Sequence, residues 1–147
     1  MSLDLTNARN AYINRVKQIE ELALVERNSL PEGVTPPRDA MNRISPYAII
    51  HFGRPQGFSA GTLADGERDT PHIWPTWVEL YGPQGYDIDA LCDKLDALLE
   101  GWSPDGDNST EMRAAGSYSY GITTSDTVPA RDGINRYYTC LVNMQRG

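Results

Sequence analysis

Histidine and cysteine are scarce in this sequence, at two residues each, and bases are outnumbered, 13 lysines and arginines against 20 aspartates and glutamates. Cys92 and Cys140 lie far apart without metal-ligand spacing, so they suggest neither a zinc site nor a disulfide framework. Both fall inside apolar patterns, where a thiol serves as a small buried hydrophobe. No window approaches ~18 uninterrupted apolar residues, so no transmembrane helix is expected. The opening MSLDLTNARNAY lacks the basic-then-apolar plan of a signal peptide. A reducing cytoplasm and no membrane follow as expectations. The missing basic excess argues against a sequence-specific nucleic-acid binder, which needs a positive stripe. It leaves room for DNA that slides past without sticking.

Catalytic and ligand-binding constellations are equally thin. His51 sits within a strand pattern and His72 precedes an edge strand, and no serine or cysteine near either lies in a nucleophile elbow. Asp105, Asp107, Asn108 and Glu111 offer oxygen ligands around Gly106, but a calcium loop needs glycine at its sixth position and a bidentate glutamate at its twelfth. A solvated turn is the expectation there. Gly53, Gly57, Gly61 and Gly66 imitate a phosphate cradle, yet no Lys-Ser or Lys-Thr follows and no helix begins directly after the strand. Asn108-Ser109-Thr110 matches a glycosylation sequon and carries no meaning without a secretory route. The sequence predicts no catalytic, cofactor-binding or metal residues, and no enzyme.

What is present is organised around residues 87–102, DIDALCDKLDALLEGW. Ile88, Leu91, Cys92, Leu95, Leu98 and Leu99 fall at the i, i+3, i+4, i+7 spacing of one helical face. Asp87 suits the N-cap, and Gly101 suits the left-handed residue past the C-terminus, with Trp102 folding back. Asp89, Asp93, Lys94, Asp96 and Glu100 are expected to form the opposite, polar face. Between Asp87 and Glu111 eight acids stand against one lysine, a net charge of −7. The remaining 12 acids and 12 bases cancel, so the acidity is local.

Around that helix the pattern predicts one domain over 1–147. An amphipathic helix is expected over 4–26, with Leu5, Ala8, Tyr12, Val16, Ile19 and Ala23 sharing a face. Four prolines in the sixteen residues from Pro31 to Pro46 make 28–46 an extended connection. Strands are expected at 47–52, 72–81, 117–123 and 134–144, within an α/β core spanning 46–144. Pro75 cannot donate to a ladder, which predicts an edge or a bulge. The 53–71 stretch reads as a loop that orders on contact, because ordering its small residues alone is costly. The fold class is α+β, order α-β-β-α-β-β, with a mixed, mainly antiparallel sheet and two principal helices packed on one side. Tyr81, Tyr86, Trp102, Tyr118, Tyr120 and Tyr137 cannot all be core if strand alternation holds. Surface aromatics of that kind favour an assembly contact.

Four segments carry a likeness to a known family: PYAIIHFGRP, HIWPTWVELYG, the helix ending LLEGW before Ser-Pro, and the closing RDGINRYYTCLVNM. In that order, over about residues 46 to 144, the chain resembles tail terminator proteins of long-tailed bacteriophages. The likeness is closest to those of actinobacterial phages, often labelled minor tail or tail completion proteins. The motifs are signatures of fold and not of catalysis. The resemblance implies a homohexameric ring at the head-proximal end of the tail tube, which ends tube polymerisation and joins tail to head. Its partners would be further copies of itself, the major tail tube protein and a neck or connector protein, with DNA as passing cargo in the lumen. Its place would be the virion tail, assembled in the host bacterial cytoplasm.

Arg54, Arg68, Asp93, Asp96, Glu100, Tyr118, Tyr120 and Tyr137 are the expected subunit or tube interface. Arg9, Arg15, Arg54 and Arg68 are available as the basic counterpart of the acidic helix, whose other expected role is to repel DNA phosphates. Two alternatives remain beside the terminator. One is a head–tail connector of the stopper or neck type, which shares size, charge and compartment. The other is an enzyme or ligand-binding domain, for instance a small hydrolase, which a metal or cofactor bound to the purified protein would indicate.

Overall fold

In the computed structural model the described residues are 5–31, 34–57, 69–122 and 131–145. The side chains of 69–71, 107, 118–122 and 143–145 lie outside that description. The elements are α1 (Leu5–Val16), β1 (Leu24–Arg27), β2 (Tyr47–Phe52), β3 (Gln56–Gly57), β4 (Asp69–Pro83), α2 (Ile88–Leu99), a 3-10 turn (Gly106–Asn108), β5 (Arg113–Ile122) and β6 (Arg131–Gln145). They form one six-stranded sheet in the order β1-β2-β4-β6-β5, with β3 pairing β4 beside that path. β1 and β2 run parallel and every other pair is antiparallel. The α+β class with a mixed sheet and two helices is therefore observed, whereas the element order differs from the expected α-β-β-α-β-β by the additional strands β1 and β3.

The organising helix forms as its spacing dictates. Asp87 caps it by accepting from the Ala90 N–H at 3.1 Å, and Leu91, Cys92, Leu95 and Leu99 are buried. Gly101 takes φ +80° and its N–H reaches the Met112 carbonyl at 3.0 Å, so the helix stops on a residue that tolerates the left-handed region.

The helix expected over 4–26 ends at Val16. Gln18 and Ile19 donate to Arg15 and Val16 at 3.1 Å each, a tightened i→i+3 turn that releases the chain into β1. Ile19 is still buried, but Ala23 is exposed, so the helical periodicity fails there. Residues 24–27 instead fill a ladder beside β2, with Leu24 opposite Tyr47 and Arg27 opposite Ile50. A parallel pair needs a long crossover, and the proline-rich 28–46 segment is that crossover. It contains a turn in which the Asp39 carboxylate accepts from the backbone N–H groups of Met41 (2.8 Å) and Arg43 (3.0 Å). These bonds from the Arg43 and Met41 backbone, with the Arg43 charge beside them, hold the Asp39 carboxyl below the usual carboxylate range.

β4 and β6 pair over 15 residues each, far beyond the six of β2. Pro75 lies in this central strand and not at an edge. Its carbonyl accepts from Gly53 N–H at 2.8 Å, so its donorless nitrogen faces the same gap, where β2 has ended at Phe52 and β3 has not begun. The proline is thus placed at a break in the neighbouring ladder, as its chemistry requires. A Cβ on Gly53 would fall 2.6 Å from Pro75 Cγ, which is why the chain passes this point as glycine. Of the expected 53–71 loop, Gln56–Gly57 and 69–71 are strand, and 58–68 lies outside the described residues.

Both helices cover one sheet face. Ala8, Tyr12 and Val16 of α1 and the apolar face of α2 share a core with Ala48, Ile50, Trp74, Val78, Leu80, Ile134, Tyr138, Cys140 and Val142. Tyr12 lies at its centre, edge-on to Phe52, Trp74 and Trp102. Its hydroxyl meets Thr76 Oγ1 at 2.8 Å, and Thr76 Oγ1 donates to the Tyr138 carbonyl at 3.1 Å, so the buried hydroxyls are satisfied. On the opposite face the proline-rich crossover brings Ile44 and Leu30 over Tyr47, Ile49 and Tyr81. That cover extends over the β2 end of the face, and the β4–β6 part continues without it.

Candidate functional site

The odd-numbered positions of β2, β4 and β6 make up this second face. Where the crossover stops, three rings lie in one row across the strands, because His51 is opposite Trp77 and Trp77 opposite Tyr137. His51 stacks on Trp77 at 5.0 Å and 9°, and Trp77 meets Tyr137 at 6.2 Å. Tyr137 is 36% exposed and Ile73 37%, both large side chains turned outward. One position along β4, Glu79 holds the row from below. One carboxylate oxygen pairs with His51 Nε2 and the other accepts from the Tyr81 hydroxyl. Tyr81 in turn stacks on Tyr47 at 4.8 Å, with the Arg131 guanidinium 5.8 Å above its ring. Burial raises the Tyr47 phenol above its ordinary pKa, so it stays neutral.

With both oxygens of Glu79 engaged, this face presents mainly ring surface. Such surface is suited to burial against a partner. Beside it, Ile73, Thr110, Glu111, Arg113, Thr139 and Leu141 line an open groove of about 530 Å³. Among the described residues no group of three or more His, Cys, Asp or Glu is placed to hold a metal ion. No helix among them is long and apolar enough to cross a membrane. Burial pushes Cys92 up to about 11, with Asp96 adding to the rise, and pushes Cys140 up to about 12. Both are protonated thiols at neutral pH and poor nucleophiles.

Among the described residues, the expected interface positions are divided between the two sides of the sheet, with Asp93, Asp96 and Glu100 on α2 and Tyr137 on the second face. Asp93 is exposed on α2. Asp96 is a correction to the sequence reading, which put it on the polar outer face. Arg136 of β6 grips it with both arms, Nε to Oδ1 at 2.9 Å and a terminal nitrogen to Oδ2 at 2.8 Å, and the Tyr138 hydroxyl donates to Oδ1. The hydrogen bonds that Arg136 donates to Asp96, with the Asp96 charge, raise it further above the arginine range; burial first and Asp96 second raise Tyr138. Asp96 lies at the margin between the two faces of the helix, and a basic partner below it turned the balance inward.

Glu100 is exposed and accepts from the Ala114 N–H at 3.3 Å, tying the end of α2 to β5. Arg54 is exposed just beyond β2. Arg68 lies outside the described residues. So do the side chains of Tyr118 and Tyr120, whose backbones stand opposite Asn135 and Gly133. Arg15 is committed within the chain, donating to the Leu98 carbonyl and lying 5.0 Å from the Trp102 ring. Of the ring row, only Tyr137 is among the interface residues expected from the sequence, and the row joins it to Trp77 and His51. His51, Trp77, Glu79 and Tyr137 are the positions left over when alternate residues of three strands go to the core, but only the register puts them side by side.

No family model matches the chain, and no curated protein matches it. A solved structure aligns over 99% of both chains with a TM-score of 0.51 and 17% identity, a likeness that concerns the fold alone.

Proposed function

We propose that this chain is a structural virion protein, a tail terminator whose hexameric ring caps the head-proximal end of a long-tailed phage's tail tube. On this reading the ring ends tube polymerisation, receives the neck or connector protein on its other side, and lets DNA pass through its lumen. The observation that carries it is the second face of the sheet, which the described residues cover only at its β2 end. The His51–Trp77–Tyr137 row and Ile73 form aromatic and aliphatic surface of the kind assembly contacts bury. The sequence likeness over residues 46 to 144 supports the same reading. So does the long β4–β6 ladder, which at ~3.3 Å per residue extends roughly 50 Å and outreaches its neighbours.

The test is a phage carrying a nonsense codon early in this gene. Electron micrographs of the lysate should show tails far longer than normal and heads without tails. Tails of normal length lying beside unattached heads would instead identify a neck component. Ordinary infectious particles would remove the structural role altogether.

A further inference from the structure

The two helices lie side by side, with α1 packed on β1 and α2, and α2 packed on β4 and β6, so β1 and the outer side of α1 form one flank while β5 and the far side of α2 form the other. Each flank carries a patch of one charge. On the α2 flank Asp89 and Asp93 are exposed. The single lysine of the acidic stretch, Lys94, is already paired with Glu21. Among the described residues, no ion pair engages those two carboxylates.

On the β1 flank two arginines sit near each other. Arg27 is exposed, with its guanidinium 5.4 Å from the Phe52 ring. Arg9 is half-buried, and its Nε is shielded from water with no hydrogen-bond partner among the described residues. Burial and the neighbouring Arg27 charge together lower Arg9 below the usual arginine range. Arg54, exposed just past the end of β2, adds a third positive charge at the same end of the strand pair. A like-charge pair with an unmet donor is relieved by an anion that bridges it.

We propose that Arg9 and Arg27 of one copy receive the Asp89 and Asp93 carboxylates on α2 of a second copy, joining copies head to tail through opposite flanks. This deepens the ring-subunit reading and rests on it. A contact between two different patches of identical chains is heterologous, the type that closes into rings. It also separates the acids by role: Asp96 holds α2 to its own sheet, whereas Asp89 and Asp93 face outward.

The test is sedimentation velocity on the full-length protein in about 50 mM salt, where surface charges are weakly screened. Reversing one flank with Arg9→Glu and Arg27→Glu, or the other with Asp89→Arg and Asp93→Arg, should each weaken self-association by at least about tenfold. Combining all four reversals in one chain restores opposite charges across the contact and should recover association. Arg27→Glu alone, at an exposed position, serves if the Arg9 variant does not fold. Unchanged association in the single-flank variants, no recovery in the combined one, or a wild-type chain that stays monomeric at about 1 mM would overturn the proposal. No tail tube enters this assay, so the flank contact and tube capping can each fail without the other.

Discussion

Replacing Asp96 by alanine separates two descriptions of the same residue. On an outward helical face its loss would be nearly silent, as for most exposed ion pairs. In the structure its side chain is 22% exposed and that of Arg136 19%, and three donors converge on one carboxylate. Charged hydrogen bonds contribute about 1.5–3 kcal/mol each, but their sum overstates the loss because the stranded guanidinium can partly rehydrate. Removing one partner of a fully buried pair costs about 3–5 kcal/mol. At this depth the lower end applies, about 3 kcal/mol. With a urea m-value of roughly 2 kcal/mol/M for a chain of this size, the unfolding midpoint should fall by about 1.5 M. Asp96→Asn keeps the shape and one acceptor and should lose about half as much. A double-mutant cycle with Arg136→Ala should return a coupling of about 1–3 kcal/mol. A loss below about 0.5 kcal/mol in Asp96→Ala would refute the account of α2 docking through this carboxylate.

Other predictions concern separate parts of the molecule. Because burial raises both thiols, the folded chain keeps protons that the unfolded chain loses above about pH 9. Stability is therefore full below pH 9 and falls toward pH 11–12, by about 1.4 kcal/mol per pH unit for each cysteine. Urea unfolding at pH 8.5 and 10 should show this decline, and its persistence in a Cys92→Ala, Cys140→Ala chain would assign it elsewhere. Asp87→Ala should cost about 1 kcal/mol through the lost N-cap, read as a thermal shift of a few degrees. Gly53→Ala, with Pro75 Cγ at 2.6 Å and the Pro75 carbonyl oxygen at 2.9 Å from the added methyl, should cost about 2 kcal/mol; a neutral substitution would mean the β2–β4 break can open.

Local chemistry made the α2 region readable in advance. Its apolar spacing, its Asp87 cap and its Gly101 stop are written within sixteen consecutive residues, and nothing distant competes with them. The buried faces of β4 and β6 followed from alternation, as Trp74, Thr76, Val78 and Leu80 confirm. What alternation could not supply was partnership. Residues 24–26 fall at the end of the helix expected over 4–26, and only the parallel ladder of 24–27 with β2 turns them into strand. That Pro75 cannot donate is evident from the sequence, yet the gap that accommodates it is made by Gly53, between the ends of β2 and β3. The same limit governs the surface. Asp96 and Asp93 look alike in sequence, and Arg136, forty residues later, distinguishes them. The ring row depends on the registers of three strands at once.

The terminator reading is tested most directly by mixing the purified protein with polymerising tail-tube protein and measuring tube lengths by electron microscopy. The account predicts a narrow length distribution, with a ring of this protein at one end of each tube. Tubes that keep growing at an undiminished rate, with this protein left in solution, would contradict it.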